Sequence, residues 1–571
     1  MDAATRRQSG RLKPTLAELF TPKLVTILRE GYYAKDFRAD AIAGLTVAIV
    51  ALPLSMAIAI GSGLSPDKGL FTAIVGGFLI SALGGSRFQI GGPAGAFIVL
   101  IAMIVERQGY DGLVLATMMA GLIMMAGGFL KIGTYIKYIP FPVTVGFTTG
   151  IAVIIFASQV KDLLGLDIAH EPAALLPKLQ AILANLGSIK LATVALSVMA
   201  VAIILGLRRV RPAWPGMLIA VAATAGLAAL LGLDVATIGS RFGDVPRTLP
   251  VPALPAFDPA KMRAVLPDAI AIALLGAIES LLSAVVADGM SGRKHRSNCE
   301  LVAQGAANIA AVVFGGMCVT GTIARTATNV RAGARSPVAG VLHALYILLF
   351  MFVAAPLAAF IPLASLGGVL AVVAWNMAEK EEFASILRAS WGDAAVLMAT
   401  FLLTIFDDLT VAIAVGVTLG AFLFLHRMAE AIEIEGGGSL VTKDEADATG
   451  LGREIYEPNA FNGDAVVYRI SGALFFGATA AVSGVLDRLG AQPKAFVLDF
   501  ASVPLVDTTA AKVLERFVHK LRSSGTEVYF TAARKNVRRT LLIAGLREPM
   551  VRYVSSIEDA LAITHQADQK P

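Results

Sequence analysis

The first 427 residues contain a long series of apolar stretches, many of them close to twenty residues in length. A helix needs about 20 apolar residues to cross the ~30 Å hydrocarbon core of a bilayer. Hydrophobic residues make up 56% of the chain and charged residues only 16%, whereas an ordinary soluble domain carries about 25% charge. The pattern predicts a polytopic α-helical membrane protein and excludes a soluble enzyme, a nucleic-acid-binding protein and a disordered chain. The fourteen predicted segments are 40–63, 69–84, 93–105, 113–130, 142–164, 189–207, 213–232, 265–288, 301–317, 322–334, 337–361, 366–378, 392–407 and 410–427.

Charge density separates a second domain from this apolar part. Charged residues make up about 11% of 41–427 and about 23% of 453–571. The acidic stretch between them contains Gly436-Gly437-Gly438, a composition typical of a flexible linker. We therefore predict an N-terminal segment (1–39), a transmembrane domain (40–427), a linker (428–452) and a soluble domain (453–571).

The soluble domain alternates strands with helices. Strands are predicted at 465–470, 495–500 and 527–531, and helices at 478–489, 508–523 and 535–544. This order predicts a small α/β domain. Asp507, just before the second of these helices, is a natural N-cap residue.

The distribution of basic residues predicts the orientation, because Lys and Arg near span ends are retained on the cytosolic side. Residues 1–40 carry eight Lys/Arg against five Asp/Glu and show no signal-peptide pattern. With the N-terminus in the cytosol, the basic runs within 208–211 and 293–296 fall in cytosolic loops. An even number of spans then returns the soluble domain to the cytoplasm, with the chain in the cell (inner) membrane.

Two short, broken segments occupy equivalent positions in an internal repeat with an offset of 230 residues. Gly91 matches Gly321 at this offset, and the stretches 88–90 and 318–320 before them look extended. About seven spans per half, an odd number, would invert the second half relative to the first. Paired Gly/Pro-interrupted segments of this kind are the best sequence indication of a transport site.

The two short segments predict an anion site. Pro93 suits the first turn of a helix, since its missing N–H group would have no partner there. Thr322, which follows Gly321, is a suitable N-cap for the equivalent helix. Two helix N-termini that face each other supply about +0.5 charge each and free N–H donors. A Pro/Gly kink packed against neighbouring helices is the alternative for either segment alone.

Arg325 lies one turn into the second short helix, where a charge near the bilayer centre costs roughly 2.5 to 3.5 kcal/mol. Its anionic partner is either a bound anion or Glu279 in a static ion pair. Glu279 and Ser283 are four residues apart, share a helix face and are predicted to face the site. Because a desolvated carboxyl binds a proton more readily, Glu279 is a candidate for coupling proton movement to anion movement.

The sequence contains no pattern typical of a metal site, a phosphate-binding loop or a catalytic residue pair. Cys299 and Cys318 are the only cysteines, and the six histidines form no plausible metal cluster. There is no GxxxxGK[ST] motif and no nucleophile–base pair. We therefore predict no enzymatic activity, no cofactor and no metal site.

Motifs along most of the chain resemble those of the SulP anion transporters, relatives of pendrin and prestin that carry a cytosolic STAS domain. The resemblance begins at about Asp36. The motifs are Ala43-Gly44-Leu45-Thr46-Val47, Pro53, Met56-Ala57, Gly69-Leu70-Phe71, Gly91-Gly92-Pro93-Ala94, the Arg325 segment and Asp408-Leu409-Thr410-Val411-Ala412.

The resemblance implies a seven-plus-seven inverted repeat with uracil-permease-like core and gate domains, an elevator-type movement and a homodimer. It implies a substrate site between the third and tenth segments and matches Glu279 to the family's acidic residue in the eighth. Many members have Gln after the first-span proline, where this chain has Leu54 followed by Ser55. Thr508 matches a serine that is phosphorylated in related soluble STAS proteins, although helix capping or plain surface is the alternative. The candidate substrate-binding residues are Ser55, Pro93, Ala94, Gly321, Thr322, Ile323, Ala324 and Arg325, and those for the coupling ion are Glu279 and Ser283.

The leading hypothesis is a secondary active transporter of a small anion such as sulfate, bicarbonate or a dicarboxylate. Symport with protons or sodium and anion exchange both remain open, and Glu279 favours protons. A nucleobase carrier of similar fold is disfavoured because such carriers lack a STAS domain and because Arg325 suits an anion. A membrane-anchored STAS signalling or scaffold protein is the third hypothesis, and it predicts no flux.

Overall fold

The computed structural model describes residues 16–135, 139–168, 171–172, 174–211, 214–407, 409–430, 433–435, 461–462, 465–475 and 493–568. The chain forms two compact units, Met1–Val417 and Thr418–Pro571. Most of the linker predicted for 428–452, the whole helix predicted for 478–489, and Asp408 lie outside the described residues.

The first unit is helical, as the apolar stretches predicted. Among the described helices, eight are long and apolar enough to cross a membrane. Each of the fourteen predicted segments coincides with a helix or with half of one. The helices are α1 (Leu16–Phe20), α2 (Lys23–Glu30), α3 (Ala34–Gly61), α4 (Pro66–Leu83), α5 (Gly95–Phe129), α6 (Phe141–Leu164), α7 (Leu175–Ala184), α8 (Leu191–Val210), α9 (Gly216–Leu231), α10 (Ile238–Phe242), α11 (Pro259–Ala264), α12 (Leu266–Ser291), α13 (Ser297–Val313), α14 (Ile323–Arg331), α15 (Val338–Ala358), α16 (Leu363–Met377), α17 (Lys380–Ala389), α18 (Trp391–Phe406) and α19 (Leu409–Glu430).

The predicted separation of segment 93–105 from segment 113–130 is confirmed. The backbone leaves helical geometry inside α5 at Gly109 (φ +69°, ψ −178°), between the two segments. A positive φ is accessible to glycine at little cost, so the helix is interrupted at this residue. The short connecting helices α7 and α17 were not predicted, because ten residues are too few to stand out in a search for spans.

Small residues allow the helices of the first unit to pack closely. A Cβ atom on Gly121 of α5 would lie 2.7 Å from the carbonyl oxygen of Gly305 in α13. A Cβ on Gly305 would lie 2.4 Å from the carbonyl oxygen of Gly121. Because lipid tails are as apolar as leucine, close backbone approach of this kind stabilises helix association in a membrane.

The strands of the second unit are numbered after two short strands of the first unit, β1 (Gly91–Gly92) and β2 (Thr320–Gly321). The described elements are β3 (Glu433–Glu435), β4 (Phe461–Asn462), β5 (Ala465–Ser471), β6 (Ala495–Ser502), α20 (Thr508–Ser523), β7 (Glu527–Thr531), α21 (Lys535–Ile543), β8 (Arg552–Val554) and α22 (Ile557–Asp568). The sheet has the order β3-β5-β6-β7-β8. Strands β5 to β8 are parallel, and β3 and β4 pair antiparallel with β5. The predicted strands correspond to β5, β6 and β7, and two predicted helices correspond to α20 and α21, whereas β3, β4, β8 and α22 were not predicted.

The predicted N-cap of α20 is confirmed. The carboxylate of Asp507 accepts a hydrogen bond of 2.7 Å from the backbone N–H of Ala510. Thr508 is the first residue of the helix and is exposed, so its phosphorylation stays a prediction.

Candidate functional site

Two short strands at the ends of the stretches predicted to be extended (88–90 and 318–320) pair with each other. Strands β1 (Gly91–Gly92) and β2 (Thr320–Gly321) are antiparallel, and Gly91 is the direct partner of Gly321. A Cβ on Gly321 would lie 1.6 Å from Nε2 and 2.4 Å from Cδ of Gln89, so a larger residue here would have to displace the Gln89 side chain. The pairing brings the starts of α5 and α14 together.

Both helices begin without a side-chain cap. Thr322 takes the N-cap position of α14, as predicted, but its hydroxyl makes no capping hydrogen bond within the described structure. It donates instead to the carbonyl oxygen of Ile90 at 3.5 Å. The predicted start of the other helix at Pro93 is two residues early, because Ala94 is extended (φ −113°, ψ 143°) and the helix begins at Gly95. The first N–H groups of both helices therefore have no side-chain acceptor there.

A cavity of about 580 Å³ adjoins both helix starts. Seven predicted site residues line it, whereas Ser55, Gly321 and Ser283 are absent from its described lining. The seven are Pro93, Ala94, Glu279, Thr322, Ile323, Ala324 and Arg325. The structure thus brings residues at the start of α5 together with residues of α12 and α14 that lie more than 180 positions later in the sequence.

The Arg325 side chain is the central polar group of this site. It is 2% exposed, and its Nη2 donates to Ser55 Oγ and to the carbonyl oxygen of Pro93, each at 3.2 Å. Nε and Nη1 are buried and have no hydrogen-bond partner among the described residues. Arg325 forms no ion pair with Glu279 in this described region, so the static bridge considered from the sequence is wrong for this conformation. A buried guanidinium with unpaired donors is costly and favours a bound anion.

Two predicted ligands, Ser55 and Ser283, bind other protein groups and are absent from the described lining of the cavity. Ser55 is fully buried, and its hydroxyl accepts from Arg325 while donating to the carbonyl oxygen of Ala51 at 2.7 Å. Ser283 donates to Thr326 Oγ1 at 3.0 Å. The two residues therefore have different surroundings, although they are one helical turn apart on α12. Ser283 contacts Thr326 of α14, whereas Glu279 lines the cavity.

The cavity is also lined by polar residues that the sequence analysis missed. Thr148, Asn376 and Glu379 line the cavity, together with Arg208 and Arg331. Arg208 and Arg331 are exposed, which marks the open end, and Arg208 Nη1 donates to Asn376 Oδ1 at 2.7 Å. These five residues lie on different helices or at helix ends, so no local sequence motif could group them.

Comparison with known proteins places both units in described families. A model described as "Sulfate permease family" matches residues 37–400, and a STAS domain model matches 458–560. The putative sulfate transporter YvdB of Bacillus subtilis (strain 168) is 40% identical over 519 residues, covering 90% of this chain and 95% of that protein. The bicarbonate transporter BicA of Synechocystis sp. (strain ATCC 27184 / PCC 6803 / Kazusa) is 30% identical over 522 residues, covering 89% and 90%.

Solved structures share the fold. The murine Solute Carrier 26 family member A9 anion transporter in the inward-facing state matches with a TM-score of 0.82, at 17% identity, over 98% of this chain and 97% of that one. The transmembrane domain of a cyanobacterial bicarbonate transporter BicA matches with a TM-score of 0.61, at 30% identity, over 68% and 98%. The first match, at its low identity, shows the fold alone.

Proposed function

The chain belongs to the sulfate permease family, and on that premise we propose that it is a secondary active transporter of a small oxyanion in the cell (inner) membrane. Sulfate is the first substrate to test, because it is the substrate named for YvdB, a relative with 40% identity. Bicarbonate, named for BicA, is the second. The anion would bind in the 580 Å³ cavity, between the starts of α5 and α14.

One observation carries the proposal: Arg325 is buried beside the cavity with Nε and Nη1 unpaired among the described residues. Hydrogen bonds to a charged group are stronger than those between neutral groups. An oxyanion would accept from the guanidinium and from the uncapped N–H groups of the two helices. This donor set also disfavours a neutral nucleobase, because a desolvated cation would remain unpaired.

Glu279 would link the anion to a proton. Glu279 and Arg325 line the same cavity without pairing, so an ionised Glu279 would repel a bound anion. A proton on this carboxyl removes the repulsion, and by linkage a bound anion favours the proton to the same extent. The arrangement supports proton-coupled symport, with sodium coupling and anion exchange as the other outcomes of the test.

The position of Arg208 also supports an assignment of the side of the membrane to which the cavity opens. Arg208 belongs to the basic run that the charge bias places in a cytosolic loop, and it lies at the mouth of the cavity. This conformation would therefore be open to the cytoplasm. Transport would proceed by an elevator movement within a homodimer, with the STAS domain cytoplasmic.

Uptake into proteoliposomes tests this function. Labelled sulfate, bicarbonate, chloride, a C4-dicarboxylate and uracil would each be offered with and without an inward proton or sodium gradient. We expect flux of an oxyanion that is lost in Arg325→Gln and retained in Arg388→Gln, a matched removal of an exposed arginine on α17. Uracil flux would favour the nucleobase carrier, and no flux from folded protein would favour the STAS scaffold.

A further inference from the structure

A second cavity, of about 460 Å³, lies between α3, α9 and α15. All of its described lining residues are Ala, Gly, Val, Ile, Leu, Met or Phe, and none of them lines the first cavity. Its described lining therefore offers no polar side chain to an anion or to ordered water. We refer to it as the apolar crevice.

The length of the apolar crevice corresponds to one leaflet of a bilayer. One face of α9 lines it at a helical spacing of three and four residues. From Leu218 to Ala229 this face covers about 16 Å at 1.5 Å per residue, roughly half of the ~30 Å hydrocarbon core. The α9 residues that line the crevice are Leu218, Val221, Ala222, Ala225, Gly226 and Ala229.

Small residues leave the crevice open along α9. A Cβ atom on Gly226 would have nothing within 4 Å. Large apolar side chains at its edges are strongly exposed, with Leu230 at 86%, Leu357 at 68% and Phe352 at 62%. The crevice is thus continuous with an exposed apolar surface that lipid can cover in a membrane-spanning unit.

We propose that one acyl chain of a bilayer phospholipid occupies the apolar crevice. An empty crevice would lose the dispersion contacts of its lining, and water there would find no polar side chain among the described lining residues to hold it. The acyl chain is the apolar molecule that a bilayer supplies at high local concentration, and its shape suits a narrow groove one leaflet deep.

The proposed lipid site adjoins the anion site through α3. Met56 lines the apolar crevice, and the hydroxyl of its neighbour Ser55 accepts a hydrogen bond from Arg325. An acyl chain packed on Met56 would therefore restrict the helix that positions the guanidinium. The proposal concerns lipid binding, which is measured without measuring flux. Its test is therefore independent of the test of the transport function.

Photolabelling of the full chain in proteoliposomes tests the proposal. The probe is phosphatidylcholine with a diazirine on one acyl chain, and labelled residues are mapped by mass spectrometry. The variant Gly226→Leu fills the crevice, and Gly206→Leu is its matched control, because a Cβ at this open glycine of α8 also meets nothing within 4 Å. Gly206 is outside the described crevice lining.

We expect labels on Ala225 and Met351 in the natural chain and in Gly206→Leu, and their loss in Gly226→Leu. Ala222→Phe repeats the test where Gly226→Leu fails to fold, as judged by thermal unfolding. Unchanged labelling in the filled variants would overturn the proposal. Labels confined to outward residues such as Leu230, or obtained only from a photoactivatable fatty acid or sterol, would also overturn it.

Discussion

Replacing Gly92 with alanine tests whether the position of the Arg325 guanidinium sets anion affinity. A Cβ at position 92 would lie 1.7 Å from Nη1 and 2.9 Å from Cζ of Arg325. The guanidinium would have to retreat by about 1.7 Å to restore an ordinary contact of 3.4 Å. A shift of this size breaks the bonds from Nη2 to Ser55 and Pro93, which are 3.2 Å long.

The expected loss follows from the strength of such bonds. A hydrogen bond to a charged group contributes roughly 1.5 to 3 kcal/mol, and about 1.4 kcal/mol corresponds to a tenfold change in Kd. If one bond between Arg325 and the anion is lost, Kd should rise about 10- to 100-fold. The helices should remain folded, because the clash is with the end of one side chain and not with backbone.

The assay is the concentration dependence of sulfate or bicarbonate uptake in proteoliposomes, with anion binding to purified protein measured by calorimetry. Gly127→Ala on α5 is the control, since its Cβ would make only a 3.5 Å contact with Leu301. Thermal unfolding of both variants separates loss of affinity from loss of fold. A Gly92→Ala protein with the natural KM and Kd would refute the role assigned to Arg325.

Three further predictions use the same preparation. Ser55→Ala removes one acceptor of the Arg325 side chain and should raise the KM for uptake about tenfold; an unchanged KM would show that Ser55 does not position the guanidinium. Glu279→Gln should transport without the increase that an inward proton gradient produces, and a full response to the gradient would exclude proton coupling through this residue. Asp507→Ala removes the cap on Ala510 and should destabilise the second unit by about 1 kcal/mol. Faster limited proteolysis within α20, with unchanged uptake, is the expected measurement, and natural proteolysis rates would contradict it.

The sequence by itself determined where the apolar helices of the first unit lie. Each of the fourteen apolar segments became a helix or half of one, because backbone groups inside a bilayer must be satisfied within the segment itself. That requirement is local, so a stretch of about twenty consecutive residues is enough to identify such a helix. The match of Gly91 to Gly321 also predicted two equivalent breaks, and these two glycines are direct partners in the short strands β1 and β2.

Only the tertiary structure decided what Arg325 contacts. The sequence left Glu279 and a bound anion as equal partners for this cation. The guanidinium instead donates to Ser55, a residue 270 positions away in the sequence on α3, and Glu279 remains unpaired with it in the described site. Asn376 and Glu379 entered the cavity wall without any motif to indicate them. Helix faces meet according to packing among distant segments, and hydropathy along the chain does not tell which distant segment a given face will contact.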